Sequence, residues 1–326
     1  MIRLEDTNGN VVAAAIASER TRMGSSATGM VLTLLVMASE ETQADAVLAA
    51  SQAAREHPMR ILVFIPRKER GPARLDAEIS VGGDQGPGEL AILRLRGALA
   101  AHAGSVAIPL LLPDTPVVAW WPGQAPDDLA DDPIGRHAIR RITDASTVSR
   151  SLHVLDVRRS NYAPGDTDLA WTRVTPWRSM LAAALDQPTA PITSIEVTCE
   201  RSNPSGPLLA SWLHLKLGSP VTLKTSRAPG ISAVELTTTN GSISLTRPDG
   251  HKATLSITGH APATVALSRR DLTELLVEEL RRLDPDEVYS EALLGLPHLL
   301  EHVDSAAAKK AARTSAGTTS TRKARP

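Results

Sequence analysis

The feature that most constrains this chain is a pair of apolar runs, Met30 to Met37 and Ile61 to Ile65, with a helix-compatible stretch between them. Two buried strands joined by a helix of that length form a parallel crossover unit, because parallel neighbours need a long return connection. Ser39 followed by Glu40 and Glu41 supplies a hydroxyl cap and early carboxylates, so the spacing predicts a helix from there to about Arg55. Arg74 to Val81 then alternates strictly between polar and apolar residues, the mark of a strand with one wet face. A Gly-rich loop, Gly82 to Gly88, leads to a further strand at Leu90 to Leu95, so an antiparallel pair is added to the parallel unit.

Further along, Ile108 to Leu112 and Val117 to Trp121 read as extended segments around Pro113-Asp114-Thr115-Pro116. Turn chemistry at Asn161 to Asp166 marks the preferred domain boundary. Thr175-Pro176 opens a helix that runs through Met180 to Leu185. A strand at Ile195 to Cys199, a helix at Leu208 to Leu217 ended by Gly218, and a strand at Val221 to Thr225 repeat the crossover plan. Asn240-Gly241, between Val234 to Thr237 and Ile243 to Leu245, is a hairpin signal, and Ala253 to Ile257 adds a strand. Asp271 to Leu283 carries Leu272, Leu275, Leu276 and Leu280 on one helical face. The expected fold is therefore α/β with α+β character. It has two domains, 1–165 and 166–302, each a mixed sheet holding a strand-helix-strand unit plus an antiparallel hairpin, and a disordered basic tail at 303–326.

The 326 residues suffice for two cores, but with one Phe, two Tyr and five Trp those cores must be aliphatic. Cys199 is the only cysteine, which excludes an intrachain disulfide and Cys-rich zinc sites. The first residues lack the layout of a secretion signal, and the longest apolar run, Gly29 to Ala38, is far too short to span a bilayer. A cytoplasmic protein without membrane contact is expected. The formal net charge is −1, yet Lys309, Lys310, Arg313, Arg322, Lys323 and Arg325 face only Asp304 at the end of the chain. The body is thus more acidic than the whole, which argues against nucleic acid as a main partner.

Motifs for catalysis do not assemble. His298-Leu299-Leu300-Glu301-His302 matches H-x-x-E-H, but only Asp304 follows as a third ligand, so a polar helix end is the better reading. The glycines of 82–88 join two strands and lack the Lys-Ser/Thr ending of a phosphate loop, which makes them a turn. No cofactor or metal is expected. Arg55, His57 and Arg60, where a helix hands over to a strand, could cap that helix or contact an anion such as a sugar phosphate. Trp120, Trp121, Trp171 and Trp177 cluster in a chain otherwise almost free of rings, with Arg173 and Arg178 close by. Trp and Arg are enriched at interface hot spots, and the same cluster would also serve as a small core joining the domains.

Several blocks resemble one family. They include Arg55-Glu56-His57-Pro58 with Arg60 to Val63, Ala73 to Glu78, Pro109 to Asp114, Trp120-Trp121-Pro122, Arg140 to Asp144, and Tyr162 to Arg173 followed by Thr175-Pro176-Trp177-Arg178. In this order they resemble the OpcA family of bacterial glucose-6-phosphate dehydrogenase assembly proteins, over roughly residues 25–190. The resemblance implies a non-catalytic assembly factor and allosteric activator that binds glucose-6-phosphate dehydrogenase, supports its active oligomer, raises its activity and so feeds NADPH production by the oxidative pentose phosphate pathway. With Cys199 as the only cysteine, an intramolecular disulfide switch is not available to it. The Trp/Arg segment is the expected partner contact. The alternative is a sugar-phosphate sensor or enzyme built on Arg55, His57 and Arg60.

Overall fold

The computed structural model describes residues 1–24, 29–67, 69–82, 88–186 and 190–296. The H-x-x-E-H motif, the basic tail and most of the Gly82–Gly88 loop lie outside the described residues. The chain packs as two units. One comprises Met1–Arg173 with Arg270–Asp286; the other comprises Val174–Arg269 with the described residues from Glu287 onward.

The first unit is built on an eight-stranded sheet. Its strands are β1 (Ile2–Leu4), β2 (Leu32–Met37), β3 (Met59–Arg67), β4 (Arg74–Val81), β5 (Glu89–Arg96), β6 (Val117–Trp120), β7 (Arg140–Thr143) and β8 (Asp166–Asp168), in the order β1-β4-β5-β3-β2-β6-β7-β8. From β5 to β8 neighbouring strands are parallel, and β4 is antiparallel to both β5 and β1. The expected crossover unit and antiparallel pair are both present. Successive side chains of a strand point to opposite faces, and both faces of β2 and β3 are covered, so their apolar runs are continuous. Leu34, Val36, Ile61 and Val63 pack on one side with α2 (Gln43–Ala53) and α8 (Leu272–Arg281). Leu35, Leu62 and Phe64 pack on the other with α1 (Gly9–Arg22).

Four of these expectations change in detail in the first unit. The helix expected from Ser39 to Arg55 starts at Gln43, because Ser39 and Thr42 first exchange backbone-to-hydroxyl hydrogen bonds of 3.0 and 3.2 Å that close a turn. Ile108 to Leu112 is not extended: Ile108–Leu110 is a 3₁₀ turn continuing α3 (Ala103–Ala107), and Pro109 is tolerated there as a first-turn residue. The turn at Asn161 to Asp166 does not part the sheets. Asp166–Asp168 is itself the eighth strand, paired with β7, and the units divide after Arg173. The amphipathic helix at Asp271 belongs to the first unit, where Leu275, Leu276 and Leu280 close the core over α2; an apolar stripe does not say which sheet it will cover. A full capping box, Asp271 with Glu274, starts that helix.

The second unit holds α6 (Thr175–Leu185) and a six-stranded sheet. The strands are β9 (Ile192–Glu200), β10 (Val221–Ser226), β11 (Ile231–Thr238), β12 (Gly241–Thr246), β13 (Lys252–Ile257) and β14 (Ala263–Ala266), ordered β10-β9-β11-β12-β13-β14. The parallel pair β9 and β10 is connected by α7 (Ser205–Leu217), which ends at Gly218 in the left-handed conformation with φ +66°. The β11–β12 hairpin turns at Thr239-Asn240 rather than Asn240-Gly241, since Thr238 pairs with Gly241. Gly241 is needed for space: a Cβ there would lie 2.5 Å from the Thr258 side chain. Short α9 (Glu287–Leu294) packs against α7.

Candidate interaction surfaces

The four clustered tryptophans are inside. Trp120, Trp121, Trp171 and Trp177 are 0–2% exposed, so as folded they build core and present no ring to a partner. Adjacent Trp120 and Trp121 enter different halves of the first core: Trp120 packs with Ile142 and Leu169, Trp121 with Leu129 and Ile134. Trp171 lies on the short helix α5 (Leu169–Thr172) and donates its Nε1–H to Asp286 at 2.9 Å. In the second unit Trp177 lies beneath the Arg247 guanidinium, 5.0 Å from ring centre to carbon, while Arg178 stands 6.0 Å over Trp212. Arg173 is half-buried and grips Asp144 with both terminal nitrogens, at 2.7 and 2.8 Å.

Nor do Arg55, His57 and Arg60 converge. Arg60 is buried on the α1 side of the sheet, bonded to Glu89 at 2.6 Å and to the Leu110 carbonyl at 2.7 Å, and Arg20 completes the triad at 3.1 Å from Glu89. His57 meets the Val277 carbonyl of α8 at 3.2 Å. Arg55 alone is exposed, at a cleft between α2 and α8 whose other charges are compensated: Arg281 pairs with Glu56 at 3.2 Å and Arg270 with Glu278 at 2.5 Å. A phosphate offered to this cleft would have to compete with carboxylates already in place.

The polar chemistry that sequence spacing did not reveal comes from residues far apart in the chain. Arg140 on β7 bonds Glu279 of α8 through Nε at 3.2 Å and Nη2 at 2.5 Å, and the Asp284 carbonyl through Nη1 at 2.7 Å. Thr172 donates to the second oxygen of Glu279 at 2.5 Å. Nearby, Asp168 is fully enclosed and accepts from Thr143 Oγ1 at 2.7 Å and from the amides of Ala145 and Ala170. Burial, with the charge of Asp144 second, pushes its pKa up to about 6 despite those donors. The only thiol, Cys199, is pushed up to about 11 by burial and then by Glu200, so it stays protonated at neutral pH. Among the described residues no group of three or more His, Cys, Asp or Glu is placed to hold a metal, and no helix is long and apolar enough to cross a membrane.

Two surfaces remain open. In the first unit, outward residues of β4 and β5 join Arg67 of β3 and the loop residues Glu69 and Glu40 in an alternating chain of ion pairs. It runs from Arg74 to Asp76 (2.7 Å), Arg96 (3.4 Å), Glu69 (3.5 Å), Arg67 (3.8 Å) and Glu40 (2.6 Å). In the second unit, the sheet face opposite α7 carries mainly short hydroxyl side chains: Thr198, Thr222, Thr237, Ser242, Ser244, Thr246, Thr254, Ser256 and Thr264. At its centre Glu196 and Glu235 are directly opposite each other across β9 and β11. Lys224 pairs with Glu196 at 2.5 Å, and Glu235 is exposed without an ion pair among the described residues. Like charges in register cost stability in the free protein, and of the two carboxylates Glu235 is the one left without a compensating cation among the described residues.

These features define a two-unit α/β protein with internally braced Trp/Arg clusters and uncovered polar sheet faces. Residues 50–160 match the family model for the glucose-6-phosphate dehydrogenase subunit N-terminal domain, and 164–293 that for its C-terminal domain. The chain belongs to the OpcA family of glucose-6-phosphate dehydrogenase assembly proteins. No curated protein matches it. Among solved structures it is similar to a 3-ketoreductase from Actinomadura kijaniata, at 10% identity and TM-score 0.45 over 84% of this chain and 97% of that one. An NAD binding oxidoreductase from Klebsiella pneumoniae gives 9% and 0.41 over 84% and 96%. An inositol dehydrogenase homolog from Azotobacter vinelandii gives 9% and 0.35 over 86% and 88%. Similarity at this level carries no inference about what the chain does.

Proposed function

We propose that this chain is a non-catalytic assembly factor and allosteric activator of glucose-6-phosphate dehydrogenase, acting in the cytoplasm to support NADPH supply by the oxidative pentose phosphate pathway. The observation that carries the reading is the pair of consecutive family matches, one to each half of the chain. To activate, it must bind the active oligomer of the dehydrogenase in preference to other states. A coupling of about 1–3 kcal/mol changes substrate affinity roughly 5- to 150-fold.

We assign the docking surface to the open hydroxyl face of the second sheet. Six strands about 4.8 Å apart and about 20 Å long cover roughly 550 Å² in plan. A stable interface needs on the order of 800 Å² per partner, so the face with its rim is of the right size. Glu235, which has no ion pair among the described residues, fits a Lys or Arg contributed by the dehydrogenase. Trp171, Arg173, Trp177 and Arg178, with Trp120 and Trp121, then act as internal braces that keep each unit rigid. The test is to mix the purified chain with the dehydrogenase and measure the apparent KM for glucose-6-phosphate together with the mass of the complex. Unchanged KM and unchanged mass would refute the function. A normal response from Glu235→Arg and Ser244→Arg variants would refute the surface alone.

A further inference from the structure

The first unit contains a cavity of about 410 Å³ at the carboxyl ends of β6 and β7. Its walls come from the segment after β6 (Gly123 to Asp127), the end of β7, and the first turns of α4 (Ser151–Ser160). The sheet order reverses between β2 and β6: from β2 the chain moves through β3 to β5 on one side, and through β6 to β8 on the other. In open α/β sheets ligands bind outside the carboxyl ends of strands beside such a switch point. The volume lies within the range of small-molecule sites.

The charges of the cavity differ from those of the Arg55 cleft. Asp144 in its floor is already held by Arg173 through two hydrogen bonds, so it offers no free negative charge. Arg158, 6% exposed, lines the wall and is anchored to the Pro126 carbonyl at 2.5 Å. Arg150 is exposed at the mouth, without an ion pair among the described residues, and His153 stands one helical turn further on. The start of α4 has no acidic residue in its first turn and no side-chain cap, so its dipole adds to the same positive field. Asp127 and Gln124 at the opposite lip are hydroxyl acceptors, which a bare phosphate would avoid and a polyol would use.

We propose that this cavity binds a phosphorylated polyol, its phosphate toward Arg150, His153 and Arg158 and its hydroxyls toward Gln124 and Asp127. The site is independent of the docking face, and a metabolite bound here would give an assembly factor a reading of sugar-phosphate supply. Calorimetric titration of the full chain, without the dehydrogenase, uses inorganic phosphate, a hexose 6-phosphate and the unphosphorylated hexose as probes. The hexose phosphate should bind saturably and at least tenfold more tightly than inorganic phosphate, and the free hexose should give no heat. Arg150→Glu, which reverses the charge at the mouth, and Val154→Trp, which fills the cavity, should each weaken binding at least tenfold with unchanged melting temperature; Arg55→Glu should leave it unaltered. No saturable binding to the folded protein, equal affinity for inorganic phosphate, or indifference to both cavity variants would overturn the assignment. Because no dehydrogenase is present, failure of the docking reading leaves this result untouched.

Discussion

Removing Glu279 should release α8 from the first unit. Its carboxylate is 5% exposed, receives two nitrogens of Arg140, itself 4% exposed, and takes the Thr172 hydroxyl on its other oxygen. Glu279→Ala would leave a buried guanidinium with only the Asp284 carbonyl, and stranding one member of a buried pair costs about 3–5 kcal/mol. Replacing both members by apolar residues of similar volume removes the stranded charge, so Arg140→Met with Glu279→Leu should recover most of that loss. Amide hydrogen exchange of Leu275 to Leu280 reads α8 directly. A cost of about 4 kcal/mol raises exchange from the opened helix roughly a thousandfold, and the double variant should return to within tenfold of wild type. If Glu279→Ala exchanges at the wild-type rate, the pair does not latch the helix and the apolar face of α8 holds it unaided; if the double variant is as open as the single one, a stranded charge is not what opens it.

Asp168 gives a pH test. Its pKa is raised in the folded state, from 3.8 to about 6, so the native protein binds the proton that the unfolded chain releases, and stability should fall as pH rises between those values. The loss amounts to roughly 3 kcal/mol, and urea melts at pH 4 and 7 should show Asp168→Asn with a correspondingly flatter profile. Glu235→Lys should add about 0.5 kcal/mol of stability by relieving repulsion with Glu196, seen as a slight rise in melting temperature, while weakening capture of the dehydrogenase in a binding assay. Gly135→Ala should unfold the segment around it, because the added methyl would collide with the Leu129 carbonyl; thermal melting should drop by several degrees, consistent with an overpacking cost of about 1–3 kcal/mol.

Strands and helices were legible where the pattern is local: the alternation of β4, the runs of β2 and β3, Gly218 after α7 and Asp271 before α8. Helix α1 was not, because Ala13, Ala14 and Ala15 blur any apolar stripe and leave no periodic signal. Strands β7 and β8 were not either. Arg140, Arg141, Asp166 and Asp168 are buried there, and charges read as surface until their partners are known.

By itself the amino-acid sequence determined the class of fold, the aliphatic character of the cores, the absence of an intrachain disulfide and, through its ordered blocks, the family. Tertiary structure alone decided which helix covers which sheet, that the Trp cluster faces inward, that Arg60 leaves Arg55 for Glu89, and that Arg140 meets Glu279 across 139 positions. The physical reason is range. Propensity and periodicity act over a few residues, whereas burial and charge pairing depend on what the folded chain brings alongside, and a Trp or an Arg looks the same in sequence whether its partner is solvent, another protein or its own distant helix.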